Sequence, residues 1–163
     1  ARTLSAQTEL VRQLQARTVK REYCAIARGV VPFDGTVDAA IGRHPTQRTK
    51  MAVRPEGGGK PATTHYRIVQ SFRHHTQLEC QLETGRTHQI RVHLQAIGYP
   101  LLGDPVYGLS YGRQVSKFYF PRQALHAQRL GLVHPVTGEM MRWSAPLPAD
   151  LESLLARLEH EDA

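Results

Sequence analysis

Residues 62–97 read ATTHYRIVQSFRHHTQLECQLETGRTHQIRVHLQAI, and a change of period inside them decides the fold. Residues 62–72 and 76–83 alternate apolar with polar side chains across a short polar link at His74 and His75, which predicts an antiparallel hairpin. After Thr84-Gly85-Arg86 the period lengthens. Ile90, Leu94 and Ile97 recur at helical spacing and Gly98 follows, so residues 87–97 are expected to form a helix. On its projection the apolar stripe packs, while His88, Arg91 and Gln95 share a flanking face that presents.

Working outward, Leu10, Val11 and Leu14 mark an amphipathic helix over residues 3–18, with Thr3 as its N-cap. Residues 20–31 (KREYCAIARGVV) read as a half-buried strand; Asp34-Gly35 makes a turn before a short strand at residues 36–38. Residues 42–60 carry Arg43, His44, Arg48, Lys50, Arg54 and Lys60 among prolines and three consecutive glycines. They are expected to form a basic, mobile loop with one short strand at residues 51–53. Glycine, proline and tyrosine make residues 101–111 a turn and loop. Residues 124–133 and 139–144 form a second hairpin, and Leu151, Leu154, Leu155 and Leu158 mark a last amphipathic helix. Strands outnumber helices and the hairpins demand antiparallel pairing, so the fold class is α+β, with a mixed, mainly antiparallel sheet and a few packed helices.

At 163 residues the chain is expected to be one domain that closes a core without staples, and a monomer. Cys24 and Cys80 stand apart in strand-like runs, which predicts reduced core thiols of a cytoplasmic protein. A membrane partner is disfavoured, because no apolar run approaches ~18 residues. A net charge of +7 and a pI near 9.8 call for an anionic partner, with nucleic acid first among them.

Arg86, His88, Gln89, Arg91 and His93 crowd into eight residues beside the glycine junction. Such a strand-to-helix turn, with backbone N–H groups and a positive helix end, suits a phosphate or a carboxylate, and a planar arginine fork suits either. An arginine exposed to water is the ordinary alternative for Arg91. Metal binding is not expected: His88 and His93 are five apart, out of step with the i, i+4 pair of a zinc helix.

The run LETGRTHQIRVH at residues 82–93, GDPVYG at 103–108, LHA at 125–127 and HP at 134–135 resembles the RluA-type pseudouridine synthases, most of all the RluD-type enzymes of the large ribosomal subunit. KREYCA at residues 20–25, RHPT at 43–46 and KPATTHY at 60–66 add to the resemblance. It implies the pseudouridine synthase catalytic fold and cofactor-free isomerisation of uridine in RNA, with 23S ribosomal RNA or a large-subunit particle as the partner. The N1–C1′ bond is broken, the base turns, and C5 is joined to C1′ after the base has left its stack. By resemblance Arg91 pairs with the essential aspartate, Tyr23 lies against the uracil, and Leu125 sits beneath it. Arg86, His88 and Gln89 order the site or touch the substrate, and Arg43, Arg48 and Lys50 belong to an RNA-facing loop.

One element of the pattern is missing. The His-Arg-Leu-Asp segment that supplies the family's aspartate does not occur, and none of Asp34, Asp38, Asp104, Asp150 and Asp162 follows its pattern. Asp104, within Gly-Asp-Pro, reads as a turn residue that bonds its own backbone. Residues 1–163 are therefore expected to be the C-terminal part of a single catalytic domain, with the aspartate upstream of Ala1. Alone they should be inactive, with Arg91 left as an uncompensated cation. The competing reading is a non-catalytic basic RNA-binding or ribosome-assembly module; upstream sequence discriminates the two.

Overall fold

A computed structural model describes residues 1–55, 57–108 and 118–162. Helix α1 (Leu4–Gln15) precedes strands β1 (Lys20–Arg28), β2 (Gly35–Asp38), β3 (Ile41–Arg43), β4 (Met51–Val53), β5 (Thr63–Ser71) and β6 (His75–Leu82). Helix α2 (Gln89–Ala96), strands β7 (Leu125–Val133) and β8 (Met140–Ser144), and helix α3 (Ala149–Asp162) follow. Six strands form one antiparallel sheet in the order β2-β5-β6-β1-β7-β8, and β3 pairs with β4 in a separate ribbon. The α+β class and both hairpins stand as the sequence predicts.

Strand β1 lies mid-sheet, and its run Cys24, Ala25, Ile26, Ala27 is buried on both sides. Alternation sends Ala25 and Ala27 to one face, where they pack with Leu78, Cys80, Leu82 and the α2 residues Ile90 and Leu94. Ile26 points the opposite way, into a cluster with Leu151, Leu154 and Leu158 of α3. Thr3 caps α1 by accepting the Ala6 N–H at 3.2 Å. Gln13 clips α1 to the end of β7, donating to the Val133 carbonyl at 2.8 Å and accepting its N–H at 3.0 Å. Both cysteines are buried and free. Among the described residues no helix is long and apolar enough to cross a membrane.

Three expectations are corrected. The strand expected at residues 51–53 is present and most of residues 42–60 is irregular, but Met51–Val53 pairs antiparallel with an unexpected strand, Ile41–Arg43, and a third buried cluster of Ile41, Ala62, Val92 and Tyr107 anchors the ribbon. A Cβ on Gly42 would run into the Gly58 carbonyl and one on Gly59 into the backbone of Ile41, so these two glycines serve close backbone approach. Helix α2 starts two residues later than its pattern suggests, because His88 adopts the left-handed region at φ 55. Nor does α2 have one presenting face, since every residue from Gln89 to Leu94 is buried. The turn expected over residues 101–111 is seen as far as Gly108; residues 109–111 lie outside the described ones.

Candidate functional site

The Thr84–Arg86 junction is held by one buried chain of hydrogen bonds. Gln89 Oε1 accepts from the Thr84 hydroxyl at 2.8 Å and from the Arg86 N–H at 3.0 Å. Its amide nitrogen donates to the Thr63 carbonyl and to Thr64 Oγ1, both at 3.0 Å. Thr64 Oγ1 lies 2.8 Å from His93 Nδ1, and His93 Nε2 lies 2.8 Å from the Ala39 carbonyl. A carbonyl only accepts, so Nε2 carries the proton and Nδ1 takes the threonine hydrogen. Burial pushes the His93 pKa down, against the pull of the Ala39 bond, and keeps the ring neutral. Gln89, expected to order the site or touch the substrate, is 3% exposed with its amide satisfied inside, where it orders the junction.

Arg91 is not an uncompensated cation. Its Nε and Nη2 grip Asp104 Oδ2 and Oδ1 at 2.8 and 2.9 Å, and Asp104 Oδ1 also accepts the N–H groups of Val106 and Tyr107 at 2.9 and 3.0 Å. Asp104 thus makes the backbone turn that its Gly-Asp-Pro setting predicts, and a buried ion pair besides. Burial alone pushes its carboxyl pKa up, but the Arg91 bonds and the two backbone donors outweigh that and hold it below the ordinary value. The Arg91 pKa is raised by the Asp104 bond. Its guanidinium carbon stands 5.0 Å from the centre of the Tyr107 ring, so the fork is clamped at its edge and on its face. Nη1 donates to no described residue.

Tyr107 carries the chain of contacts onward. Its hydroxyl accepts the Met51 N–H at 2.9 Å, which ties the β3–β4 ribbon to the site, and it lies 2.9 Å from His88 Nδ1. Burial first, then the nearby Arg91 charge, lower the His88 pKa, leaving a neutral imidazole. On the ribbon Arg43 and Arg48 are exposed and Lys50 is half-buried; Arg43 Nη1 donates to the Arg48 carbonyl at 3.3 Å.

Tyr23 and Leu125 both lie on the α2 side of the sheet. Tyr23 opposes Cys80 on β6 and Ala127 on β7, and Leu125 opposes Ala25 one row along. Both pack, partly exposed, against the cluster that contains Ile90. Arg21, two residues before Tyr23, shares that face by alternation. Its Nη2 donates to the Glu83 carbonyl at 3.2 Å, at the edge of the junction that holds Arg86. Neither thiol serves as a nucleophile at neutral pH, since burial pushes Cys80 up to about 12 and raises Cys24 as well. Among the described residues no group of three or more His, Cys, Asp or Glu is placed to hold a metal ion.

A family model described as RNA pseudouridylate synthase matches residues 1–96, through β1, the ribbon, the hairpin and all of α2. The chain belongs to that family. It is 53% identical over 163 residues to the ribosomal large subunit pseudouridine synthase D of Nitrosomonas europaea, covering 98% of this chain and 47% of that protein. Against the protein of that name from Haemophilus influenzae it is 52% identical over 178 residues, covering 99% and 53%. The chain thus spans about half the length of these curated relatives. Human RNA pseudouridylate synthase domain containing 1 superposes with a TM-score of 0.72 at 28% identity, over 98% of this chain and 73% of that one.

Within this synthase fold, two residues carry more than the sequence showed. Asp104 was legible as a turn residue, but its pairing with Arg91, 13 positions away, needs the turn to fold back on α2. Arg21 was legible as part of KREYCA; the available signal was its spacing from Tyr23.

Proposed function

We propose that these residues are the C-terminal part of the catalytic domain of a pseudouridine synthase that acts on large-subunit ribosomal RNA and needs no cofactor. The observation that carries this is identity above 50%, along nearly the whole chain, to enzymes named for that reaction. The basic surface, the clamped Arg91 and the partly exposed pair Tyr23 and Leu125 support it.

In this reading the uracil lies against Tyr23 with Leu125 beneath it. A carboxylate from a part of the protein outside these residues answers the positive charge that develops at C1′ as the bond to N1 breaks. The Nη1 group of Arg91 meets that carboxylate, while Asp104 fixes the other edge of the guanidinium. Tyr23 takes part in removing the C5 proton once C5 has joined C1′. Arg43, Arg48 and Lys50 meet phosphates from the ribbon.

The test uses RNA labelled with tritium at uridine C5. The full-length protein is expected to release tritium, Arg91→Ala to abolish release while remaining folded, and residues 1–163 alone to release none. No release by the full-length protein refutes the reaction and favours a binding or assembly module. Release by residues 1–163 alone refutes the placing of the carboxylate.

A further inference from the structure

Arg21 and Arg86 flank the Thr84–Arg86 junction, and neither is in an ion pair with any described residue. The acids nearest in sequence are engaged elsewhere. Glu22 binds Arg129 at 2.9 Å and Gln128 at 2.6 Å, and Glu83 binds His65 at 3.1 Å and approaches Arg17 at 3.9 Å. Arg21 Nε is buried without a hydrogen-bond partner. Arg86 is held through Nε to the Pro61 carbonyl at 2.9 Å, which leaves the two terminal nitrogens of its fork without a protein acceptor among the described residues. A Cβ on Gly85 would meet Arg21 Nη1, the far end of a flexible side chain, so glycine leaves that guanidinium room to lie over the turn.

Arg21 lies over Gly85 and Arg86 follows it in the chain, and neither is bonded to a carboxylate of a described residue. Burial, and then the charge of Arg86, push the pKa of Arg21 down, although Tyr23 acts the other way. An anion seated on the two forks removes that repulsion and gives the empty donors acceptors.

The surroundings say which anion. Arg21 lines a cleft of about 810 Å³ together with Arg17, Lys20, Arg129, Arg142 and Trp143, so five cations and one aromatic platform outnumber the two glutamates there, Glu22 and Glu83, which are themselves paired with Arg129 and His65. That suits a polyanion carrying bases. The carboxylate clamped by Arg91 is buried and takes two backbone donors besides. Arg21 and Arg86 are instead half-exposed, as a seat filled from solvent must be.

We propose that Arg21 and Arg86 together seat one phosphodiester of the RNA strand beside the base-binding side of Tyr23, an inference that rests on the RNA-modifying reading above. The experiment measures binding of the full-length protein to a fluorescent uridine-containing RNA by anisotropy over a series of KCl concentrations. Arg21→Gln is expected to weaken binding about tenfold. It should also reduce the slope of log affinity against log salt by about one, the mark of one lost phosphate contact. Arg86→Gln, whose side chain is less enclosed by the sheet, is expected to do the same and serves if Arg21→Gln misfolds. An unchanged slope in a folded variant overturns the seat. So does an unchanged slope accompanied by collapse of kcat, which assigns the forks to a protein carboxylate. Because binding needs no turnover, a wild-type protein that binds RNA but releases no tritium sinks the isomerase reading and leaves the seat intact.

Discussion

Replacing Asp104 with alanine removes four hydrogen bonds at once, two from Arg91 and two from the backbone of Val106 and Tyr107. The carboxylate is fully buried and the Arg91 side chain 11% exposed, so water does not take its place and the guanidinium is left without its counter-charge. Breaking such a pair from one side costs about 3–5 kcal/mol. That is a third or more of the stability of an ordinary domain, which is of order 10 kcal/mol. Arg91→Met removes the pair from the other side and is expected to cost about as much, while the double variant Asp104→Ala, Arg91→Met loses clearly less than the sum. Urea unfolding followed by far-UV circular dichroism gives the four stabilities, and the expected coupling is about 2 kcal/mol or more. A coupling under about 0.5 kcal/mol refutes the claim that the two residues act as one clamp. Acid provides a second check. The folded pKa of Asp104 lies below its unfolded value, so its contribution is complete above the ordinary carboxylate value near 4 and is lost as pH falls through the folded one. Asp104→Asn should flatten that acid limb.

His93 has its pKa lowered by burial, so the unfolded chain binds its proton first. Stability is therefore full above about pH 6.5 and falls as pH drops toward the folded pKa; ring NMR should show a neutral, Nε2-protonated His93 at about pH 6, and a protonated ring there would falsify the assignment. Gly103 and Gly138 share nearly the same backbone, φ 74 and 75, but a Cβ on Gly103 meets the carbonyls of Arg122 and Phe120 while one on Gly138 meets nothing within 4 Å. Gly138→Ala should then lose only the conformational cost of about 1 kcal/mol, and Gly103→Ala at least twice that. Equal thermal midpoints for the two variants would show that backbone conformation alone governs both sites.

Much of this fold was open to reading because it depends on short-range pattern. Alternation in residues 62–72 and 76–83 specifies β5 and β6, Thr3 marks the start of α1, and leucine spacing marks α3, since each face is buried according to its own period. The misreadings have a common cause. Helical spacing in residues 87–97 could not show that His88 turns left-handed or that α2 is enclosed on all sides, because both follow from what packs around it. The glycines and prolines of residues 42–60 looked like a loop, yet Gly42 is there to let Gly58 approach, a contact between residues 16 apart.

The site divides in the same way. Its chemical types, a tyrosine in a strand and arginines crowded at a glycine junction, were determined by the sequence itself, as were the charge and the family resemblance. Only the tertiary structure decided which of those groups are already satisfied. Gln89 is consumed by Thr63, Thr64 and Thr84, Arg91 is clamped by Asp104, and Arg21 and Arg86 remain with donors to give. A hydrogen bond forms only when donor and acceptor come within about 3 Å. For groups 5 to 65 positions apart along the chain, that distance is set by the folding of the sheet onto its helices.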